Sequence, residues 1–312
     1  MASIGGKSKC IINSFTGNTL TNIVVLRVPE ACTDYVRGDD GYWYKDNEVV
    51  SGDMAERLNK MGIPPAWRNV VVAADLEQKV QAIGLDAAGR WQYRYSAEHV
   101  VAAARKKFDR VKSFSRDMST VRRGMDDGIS AGDPRAYALR LEDQTAIRAG
   151  SRADFKARKK AYGLTTLEKR HVRVRGDKIR LNFTAKEGIE AEYELTDSTL
   201  ARWLEGRMAQ LEDADQIFYD VPARRLNEYL RELADNKSYS IKDFRTYHGT
   251  RLAQEEIQKY AGEAAEGLTK KRKKEIVKEV STKVSNFLKN TPAMAKNSYI
   301  DPMVWDYIGG LP

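Results

Sequence analysis

The first third of the chain has the alternation and the branched and aromatic side chains that are typical of β-strands. Two short stretches of this kind are TNIVVLRV, residues 21–28, and GYWYKDNEVV, residues 41–50. A longer stretch, RNVVVAADLEQKVQAIGLDAAGRWQYRYS, covers residues 68–96 and predicts two or three further strands. Within it, the segment DAAGR at residues 86–90 has the composition of a turn. This part of the chain therefore predicts a small β-rich domain.

The pattern changes at Ala97, where apolar residues begin to recur at steps of three and four. The stretch AEHVVAAARKKFDRVKSFSRDMSTVRRGM predicts a long amphipathic helix, so we place a domain boundary near Ser96. Further helices are predicted at DSTLARWLEGRMAQL, which Asp197 or Ser198 can cap, and at ARRLNEYLRELA. The lysine run KKRKKEIVKEV carries an apolar stripe at helical spacing, which favours a solvated helix face over a tail.

One segment of the second domain interrupts the helices. The sequence RHVRVRGDKIRLNFTAKEGIEAEYELT, residues 170–196, alternates polar and apolar side chains between two groups of turn residues. That pattern is typical of a three-stranded antiparallel meander. The predicted fold class is α+β, with a small β-rich N-terminal domain and a larger, mainly α-helical domain that contains the meander. We assign residues 1–40 to an extension of unknown role, 41–96 to the β-rich domain and 97–312 to the helical domain.

Length and composition are those of a globular protein with room for two cores: 312 residues, 42% of them hydrophobic and 31% charged. The formal net charge of +9 favours an anionic partner, of which nucleic acid is the commonest. No apolar run approaches the roughly 18 residues of a transmembrane helix, and the first residues lack the apolar core of a signal peptide. Cys10 and Cys32 have no metal-ligand spacing. We therefore expect an intracellular protein of the cytoplasm or nucleoid, or of a virion, with no membrane partner.

Four residues of the second domain fit one chemistry. Arg148 lies at a helix end, Lys186 in a turn of the meander, Arg245 near a helix start and Tyr299 in the polar stretch NTPAMAKNSYIDP. A tyrosine with an ordinary pKa of about 10 is a poor nucleophile, but guanidinium groups can stabilise a phenolate and a phosphodiester transition state. A lysine on a hairpin can protonate the leaving alkoxide. No carboxylate, His or Cys set suggests a metal, so we expect no cofactor.

At these residues the sequence resembles the poxvirus-like and bacterial type IB DNA topoisomerases. Five stretches resemble motifs of that family and occur in the same order: IPPAWRNV, GRWQYRYSAEHV, YGLTTLEKRHV, KDFRTYHGT and NTPAMAKNSYIDP. The resemblance extends from about Tyr42 to Pro302. The first forty or so residues resemble no part of the family.

The resemblance implies both a fold and a mechanism. The two domains would close as a clamp around duplex DNA, and the enzyme would act as a monomer. Tyr299 would attack a backbone phosphate, form a 3′-phosphotyrosyl link and release a 5′-hydroxyl strand. Swivelling and religation would relax positive and negative supercoils without ATP or metal. Arg148 and Arg245 match the arginines that hold the non-bridging oxygens, and Lys186 matches the general acid.

Two positions depart from patterns found in the family. Asn290 stands where poxvirus members have a histidine, as asparagine does in bacterial members, and implies an uncharged phosphate contact. The glycine that usually precedes the catalytic lysine is Ala185 here.

His248 shares a helix face with the second arginine, and the sequence leaves open whether it touches phosphate or packs. We interpret His99 and His171 as structural.

Four further residues are predicted to contact DNA. Gln92, Tyr93 and Tyr95 match family positions that meet DNA from the N-terminal domain, and Lys242 is a candidate phosphate contact. Tyr93 and Tyr95 lie on one face of a strand. A cross-strand aromatic pair that packs a sheet is the alternative interpretation of these two residues.

Two other functions use part of the same pattern. A site-specific tyrosine recombinase has the same arginine, lysine, arginine and tyrosine, but it usually has a histidine where this chain has Lys242, and it assembles tetramers on DNA. A DNA-binding protein without activity would fit the basic charge, but binding alone requires no such catalytic set. We therefore predict a type IB DNA topoisomerase.

Overall fold

The computed structural model describes residues 10–16, 19–26, 33–45, 48–73, 79–151 and 160–312. The chain divides into two compact units, Met1–Lys106 and Lys107–Pro312. The end of the strand predicted at 21–28, Cys32 and a short part of the stretch 68–96 lie outside the described residues.

The first unit is built mainly from antiparallel strands. Its described elements are β1 (Cys10–Thr16), β2 (Thr19–Leu26), β3 (Thr33–Arg37), β4 (Trp43–Lys45), β5 (Glu48–Val49), helix α1 (Gly52–Lys60), β6 (Arg68–Ala73), β7 (Val80–Leu85) and β8 (Trp91–Tyr95). Strands β1 and β2 pair with each other, and the others form a six-stranded sheet in the order β5-β4-β3-β6-β7-β8. A small core joins Leu58 of α1 to Trp43, Val70 and Val72 of the sheet.

The strands predicted at residues 68–96 are confirmed as β6, β7 and β8. The predicted turn is confirmed as well, because the amide of Gly89 donates to the carbonyl of Asp86 at 2.9 Å. Strand β3 precedes residue 41 and pairs with β4 and β6. The sheet thus includes part of the segment that we assigned to the extension, and the division of the chain into domains stays a prediction.

The second unit is mainly helical. The helices of the remaining described chain are α2 (Ala97–Ser130), which begins in the first unit, α3 (Pro134–Thr145), α4 (Ser198–Met208), α5 (Ala223–Leu233), α6 (Lys242–Ile257), α7 (Ala261–Glu266), α8 (Lys270–Leu288) and α9 (Pro292–Ser298). Short 3-10 turns lie at Leu164–Thr166, Lys169–His171, Lys186–Gly188, Gln258–Tyr260 and Pro302–Ile308. The architecture is thus α+β, with N-terminal strands and a mostly helical second part.

The predicted meander is confirmed as the antiparallel strands β9 (Val172–Arg175), β10 (Lys178–Thr184) and β11 (Glu190–Thr196). In β10 the alternation places Ile179, Leu181 and Phe183 in the core, as period-two patterning requires. Helix α4 follows at once. Of the two capping candidates, Asp197 is the cap, since its carboxylate accepts from the amide of Leu200 at 2.9 Å.

The second unit has two apolar clusters. The larger one lies between α2, α3, the meander, α4 and α5. The smaller one lies between α6, α8, α9 and the C-terminal 3-10 turn, and it includes Tyr299. The apolar stripe of the lysine-rich α8 is buried in this smaller cluster through Ile276, Val280 and Val284, which confirms the helix-face interpretation. None of the described helices is both long enough and apolar enough to cross a membrane.

Candidate active site

Arg245 is the central residue of the candidate site because it joins three parts of the chain. It lies in the first turn of α6, and its side chain is buried. Its Nη1 donates to the carbonyl of Ala146, and its Nη2 donates to the carbonyl of Leu288 at 2.8 Å. Its guanidinium carbon lies 5.0 Å from the ring centroid of Tyr299. A planar group with five donors can serve these partners together, whereas a lysine ammonium is a point charge.

The two carbonyls that Arg245 holds belong to turns that carry other candidate residues. Ala146 is the left-handed cap of α3, with φ 49° and ψ 37°, and Arg148 follows two residues later. Leu288 is the last residue of α8, and Asn290 follows two residues later. Arg245 therefore ties the ends of two helices to the surroundings of the tyrosine.

The backbone of Arg148 is held by a close crossing of two chain segments. A Cβ on Gly163 would lie 2.4 Å from the carbonyl oxygen of Arg148 and 2.4 Å from the amide nitrogen of Gly150, so the crossing requires glycine. The amide of Leu164 donates to the carbonyl of Arg148 at 2.8 Å. These contacts explain why the stretch YGLTTLEKRHV accompanies the first arginine.

Tyr299 is the cap residue at the C-terminal end of α9 and is only 5% exposed. Burial raises the pKa of its phenol, but the charges of Arg245, Arg148 and Lys242 together outweigh burial. The pKa of Tyr299 therefore lies below the ordinary value of 10. The surroundings favour the phenolate, which is the nucleophilic form.

A second phenol, that of Tyr193 on β11, lies near the same arginines with the opposite result. Burial raises the pKa of Tyr193 to about 12, and the charges of Arg245 and Arg148 do not reverse the rise. The ring also lies 5.4 Å from Nζ of Lys289. Of the two phenols, only Tyr299 has a pKa below its ordinary value.

Glu142 lies buried on α3 and interacts with Arg245. Burial raises the pKa of Glu142 well above its ordinary range, and the opposing effect of Arg245 is smaller. Its Oε2 makes no hydrogen bond within the described part of the chain. Burial thus favours the protonated form of Glu142, in which the carboxyl group carries no charge that would cancel the charge of Arg245.

Asn290 has both polar side-chain atoms, Nδ2 and Oδ1, buried without a hydrogen-bond partner among the described residues. A buried unpaired amide costs about 1–3 kcal/mol, so such a group calls for an explanation. A phosphate oxygen could accept from Nδ2, which agrees with the position that the sequence assigned to Asn290. The amide lies on the turn that Arg245 holds.

The two candidate lysines have different places. Lys242 is exposed at the first position of α6, and its charge contributes to the lowered pKa of Tyr299. Lys186 is exposed at the tip between β10 and β11, where Glu187 has a φ of 68° and Gly188 a φ of 75°. No contact between Lys186 and Tyr299 is found in the described structure. The charge of Lys242 therefore reaches the tyrosine, and the place of Lys186 in the site stays a prediction.

His248 is a buried packing residue. Its Nε2 lies 2.8 Å from Oδ1 of Asp143, and Oδ2 of the same carboxylate accepts from Nε of Arg122 at 2.8 Å. Its ring packs against Phe287, with the ring centroids 5.9 Å apart. These contacts favour the packing interpretation that the sequence left open. Within the described residues, no group of three or more His, Cys, Asp or Glu side chains could hold a metal ion.

The residues predicted to bind DNA from the first unit lie on the edge strand β8. Tyr93 and Tyr95 are 49% and 39% exposed and stack on each other with their centroids 6.2 Å apart. They do not pack a sheet core, so the structure does not support the alternative interpretation of this pair. Gln92 donates to Oδ2 of Asp86 at 2.9 Å, a bond that orients its amide.

Two residues that contact the tyrosine backbone were not predicted from the sequence. Gly249 of α6 faces Tyr299 so closely that a Cβ there would lie 2.8 Å from the tyrosine carbonyl oxygen. Oγ1 of Thr250 donates to the same oxygen at 3.2 Å. Both residues lie in the motif KDFRTYHGT, and the motif is what could have drawn attention to them. The spacing of residues along α6 does not reveal which of them contact the end of α9.

Two family matches together cover most of the chain. Residues 96–303, which contain the whole arginine and tyrosine cluster, match the family described as "Eukaryotic DNA topoisomerase I, catalytic core". Residues 41–86 match "Bacterial DNA topoisomerase IB, N-terminal domain". A protein named DNA topoisomerase 1B, from Acanthamoeba polyphaga mimivirus, is 32% identical over 277 residues, which are 83% of this chain and 81% of the relative. With both parts of the chain matched in order, the chain belongs to the type IB DNA topoisomerase family.

Proposed function

We propose that this enzyme relaxes positively and negatively supercoiled DNA by cutting one strand, letting it swivel and resealing it. The observation that carries the proposal is the guanidinium of Arg245, 5.0 Å from the ring centroid of Tyr299, in surroundings that lower the pKa of that phenol. A covalent link between tyrosine and phosphate would keep the energy of the broken phosphodiester bond, so resealing would need no energy source. The family membership of the chain supports the same conclusion.

In the proposed cleavage step, the phenolate oxygen of Tyr299 attacks the phosphorus of a backbone phosphodiester. A bond forms between that oxygen and phosphorus, and the bond from phosphorus to the 5′ oxygen breaks. The 3′ end of the cut strand stays on the tyrosine, and the other strand end leaves as a 5′-hydroxyl. Religation reverses these bond changes and keeps the energy of the phosphodiester bond, so the step requires no ATP, and arginines would stabilise the phosphate charge in place of a metal.

Arg148, Arg245 and Asn290 would bind the non-bridging phosphate oxygens and stabilise the charge that grows in the transition state. The support is local: Nε of Arg245 and the amide of Asn290 are buried without partners in the described structure. Burial favours the neutral form of Glu142, which would leave the guanidinium charge free for the phosphate. Lys186 would donate the proton to the leaving 5′ oxygen, reaching it from the exposed hairpin tip when DNA is bound.

DNA would be held by residues from both units closing as a clamp around the duplex, with one copy of the chain sufficient. Tyr93 and Tyr95 would contact backbone or thymine methyl groups, and Gln92 would pair with a base edge in the major groove. Lys242 would contact phosphate beside the nucleophile. The exposure of the two tyrosines supports their part in this proposal.

The test is relaxation of plasmids of both supercoil signs, in excess EDTA and without ATP, by the native chain and by Tyr299→Phe. Phenylalanine keeps the ring beneath Arg245, so the variant should fold and bind DNA while losing all relaxation. The covalent adduct should carry the 3′ end of the DNA and be absent from the variant. Relaxation by Tyr299→Phe, or tetramers of the native chain on DNA with strand exchange, would contradict the proposal.

A further inference from the structure

The peptide groups on either side of Tyr299 are each held by a side chain from another helix. The carbonyl of Ser298, which precedes the tyrosine, accepts from Nζ of Lys107 on α2 at 2.9 Å. The carbonyl of Tyr299 itself accepts from Oγ1 of Thr250 on α6 at 3.2 Å. The last carbonyls of a helix have no partner within the helix, so side chains can capture them. The tyrosine backbone is thereby held before and after the Cα atom.

We propose that Lys107 is a positioning residue for the nucleophile, acting through the Ser298 carbonyl to set the direction of the Tyr299 side chain. This inference rests on the proposed function, because it assumes that Tyr299 attacks phosphate. Lys107 does not touch the phenol in the described contacts. Thr250 provides the second attachment.

The surroundings of Lys107 distinguish it from a lysine that simply attracts DNA. Its side chain is half-buried, and its Nζ lies 4.2 Å from the ring centroid of Phe108. Burial lowers the pKa of Lys107, and the charges of Lys242 and Arg110 lower it further. A cation kept in such surroundings needs a specific acceptor, and the C-terminal end of α9 supplies one.

Neighbouring residues of α2 make related contacts with the same site. Arg110 donates to both carboxylate oxygens of Asp243, including a bond of 2.8 Å to Oδ1, and Asp243 lies two residues before the arginine at the centre of the site. Lys112 lies 3.6 Å from Oδ2 of Asp301, two residues beyond the tyrosine. The middle of α2 thus holds both α6 and the tyrosine segment, and Lys107 is its closest contact to the nucleophile.

The test measures the single-turnover rate at which saturating enzyme cleaves a nicked DNA duplex, and it compares Lys107→Met with Lys107→Arg. Methionine keeps the length and the packing on Phe108 but cannot donate, whereas arginine keeps both donor and charge. A displacement of about 1 Å can cost about 100-fold in rate, so we expect a ~10- to 100-fold loss for methionine. Arginine should restore most of the rate. Lys107→Gln serves as a second neutral variant if methionine does not fold.

Two controls separate positioning from other roles. Lys106→Met removes the charge of an exposed neighbour on α2, and it should change DNA affinity without changing the saturated rate. A DNA substrate whose leaving 5′ oxygen is replaced by sulfur needs no proton from the enzyme, so it rescues variants that lack the general acid. It should not rescue Lys107→Met, because that variant is expected to misplace the nucleophile. A wild-type saturated rate for Lys107→Met, or full rescue by the sulfur substrate, would overturn the inference.

Failure of the proposed function would look different, because the native chain would then cleave no DNA. In that case the absorbance titration of the Tyr299 phenol, measured as the difference from Tyr299→Phe, still tests the position of the ring. Displacement from Arg245 should move the midpoint upward in Lys107→Met and leave it in place in Lys107→Arg. An unchanged midpoint in Lys107→Met would then overturn the inference.

Discussion

Replacing Gly249 by alanine should slow DNA cleavage although alanine is the better helix former. The added Cβ would lie 2.8 Å from the carbonyl oxygen of Tyr299, 3.1 Å from its Cβ and 3.3 Å from Cδ1 of Leu288. The nearest atom belongs to the backbone, so no side-chain rotation relieves the contact. Carbon and carbonyl oxygen ordinarily approach to about 3.3 Å, so α6 and the tyrosine segment must separate by about 0.5 Å.

The structure lets the two effects of Gly249→Ala be weighed. Overpacking typically costs about 1–3 kcal/mol, and removing a helical glycine returns about 1 kcal/mol, so the net destabilisation should be about 0–2 kcal/mol. The rate is more sensitive, because in-line attack depends on the position of the phenol. With about 100-fold lost per 1 Å of misplacement, a shift of about 0.5 Å should cost about tenfold, or about 1.4 kcal/mol.

The assay is single-turnover cleavage at saturating enzyme, with thermal unfolding measured in parallel. Gly206→Ala is the matched control, because Gly206 is an exposed glycine of α4 and a Cβ there meets no atom within 4 Å. That control should be more stable by about 0.5–1 kcal/mol and cleave at the native rate. A native cleavage rate in Gly249→Ala would refute the argument that this glycine sets the position of Tyr299.

Three other measurements test the role of Lys186, the pKa of Tyr299 and the contribution of Asp86 to stability. Lys186→Ala should lose about 100- to 10,000-fold in cleavage of ordinary DNA but far less with a 5′-sulfur leaving group, and equal losses would contradict its role as general acid. The cleavage rate should rise with pH and level off below pH 10, because Arg245 and its neighbours outweigh the effect of burial on the pKa of Tyr299; a plateau only above pH 10 would be the contrary result. The folded-state pKa of Asp86, lowered to about 2 mainly by hydrogen bonds from Arg90, lies below its unfolded value of about 3.9. Its stabilising contribution should therefore be present above pH 4 and disappear toward pH 2, and urea unfolding of Asp86→Asn should lack this part of the pH dependence.

Much of the fold could be predicted from local sequence. Alternation along β10 and the turn residues on both sides of it gave the meander, and the spacing of apolar residues from Ala97 gave α2. The lysine-rich helix α8 was predictable because its buried apolar residues, including Val280 and Val284, recur at helical spacing between the charged residues. In each case the prediction rests on the regular spacing of apolar residues, because a helix or a strand places residues of that spacing on one face.

The contacts that build the site could not be predicted in this way. Arg245 reaches carbonyls 99 and 43 residues away in the chain, and Lys107 reaches one 191 residues away. Every residue has a backbone carbonyl, so a sequence motif cannot predict which carbonyl accepts a hydrogen bond from an arginine. The same limit holds for Tyr193: its place in the alternation of β11 predicts packing, but it does not predict that burial outweighs the charges of Arg245 and Arg148 at its phenol.

Arg245 contributes most to the lowered pKa of the buried Tyr299, and its other contacts explain why this residue is an arginine. A buried phenol would ordinarily be a weaker acid, as Tyr193 is. At Tyr299 the charges of Arg245, Arg148 and Lys242 together outweigh burial, and two nitrogens of Arg245 also hold the turns before Arg148 and Asn290. Lysine could supply the charge, but it lacks the planar set of donors that reaches two carbonyls and keeps others for phosphate. Arg245 therefore takes part both in organising the candidate site and in lowering the pKa of Tyr299, so its replacement should affect both.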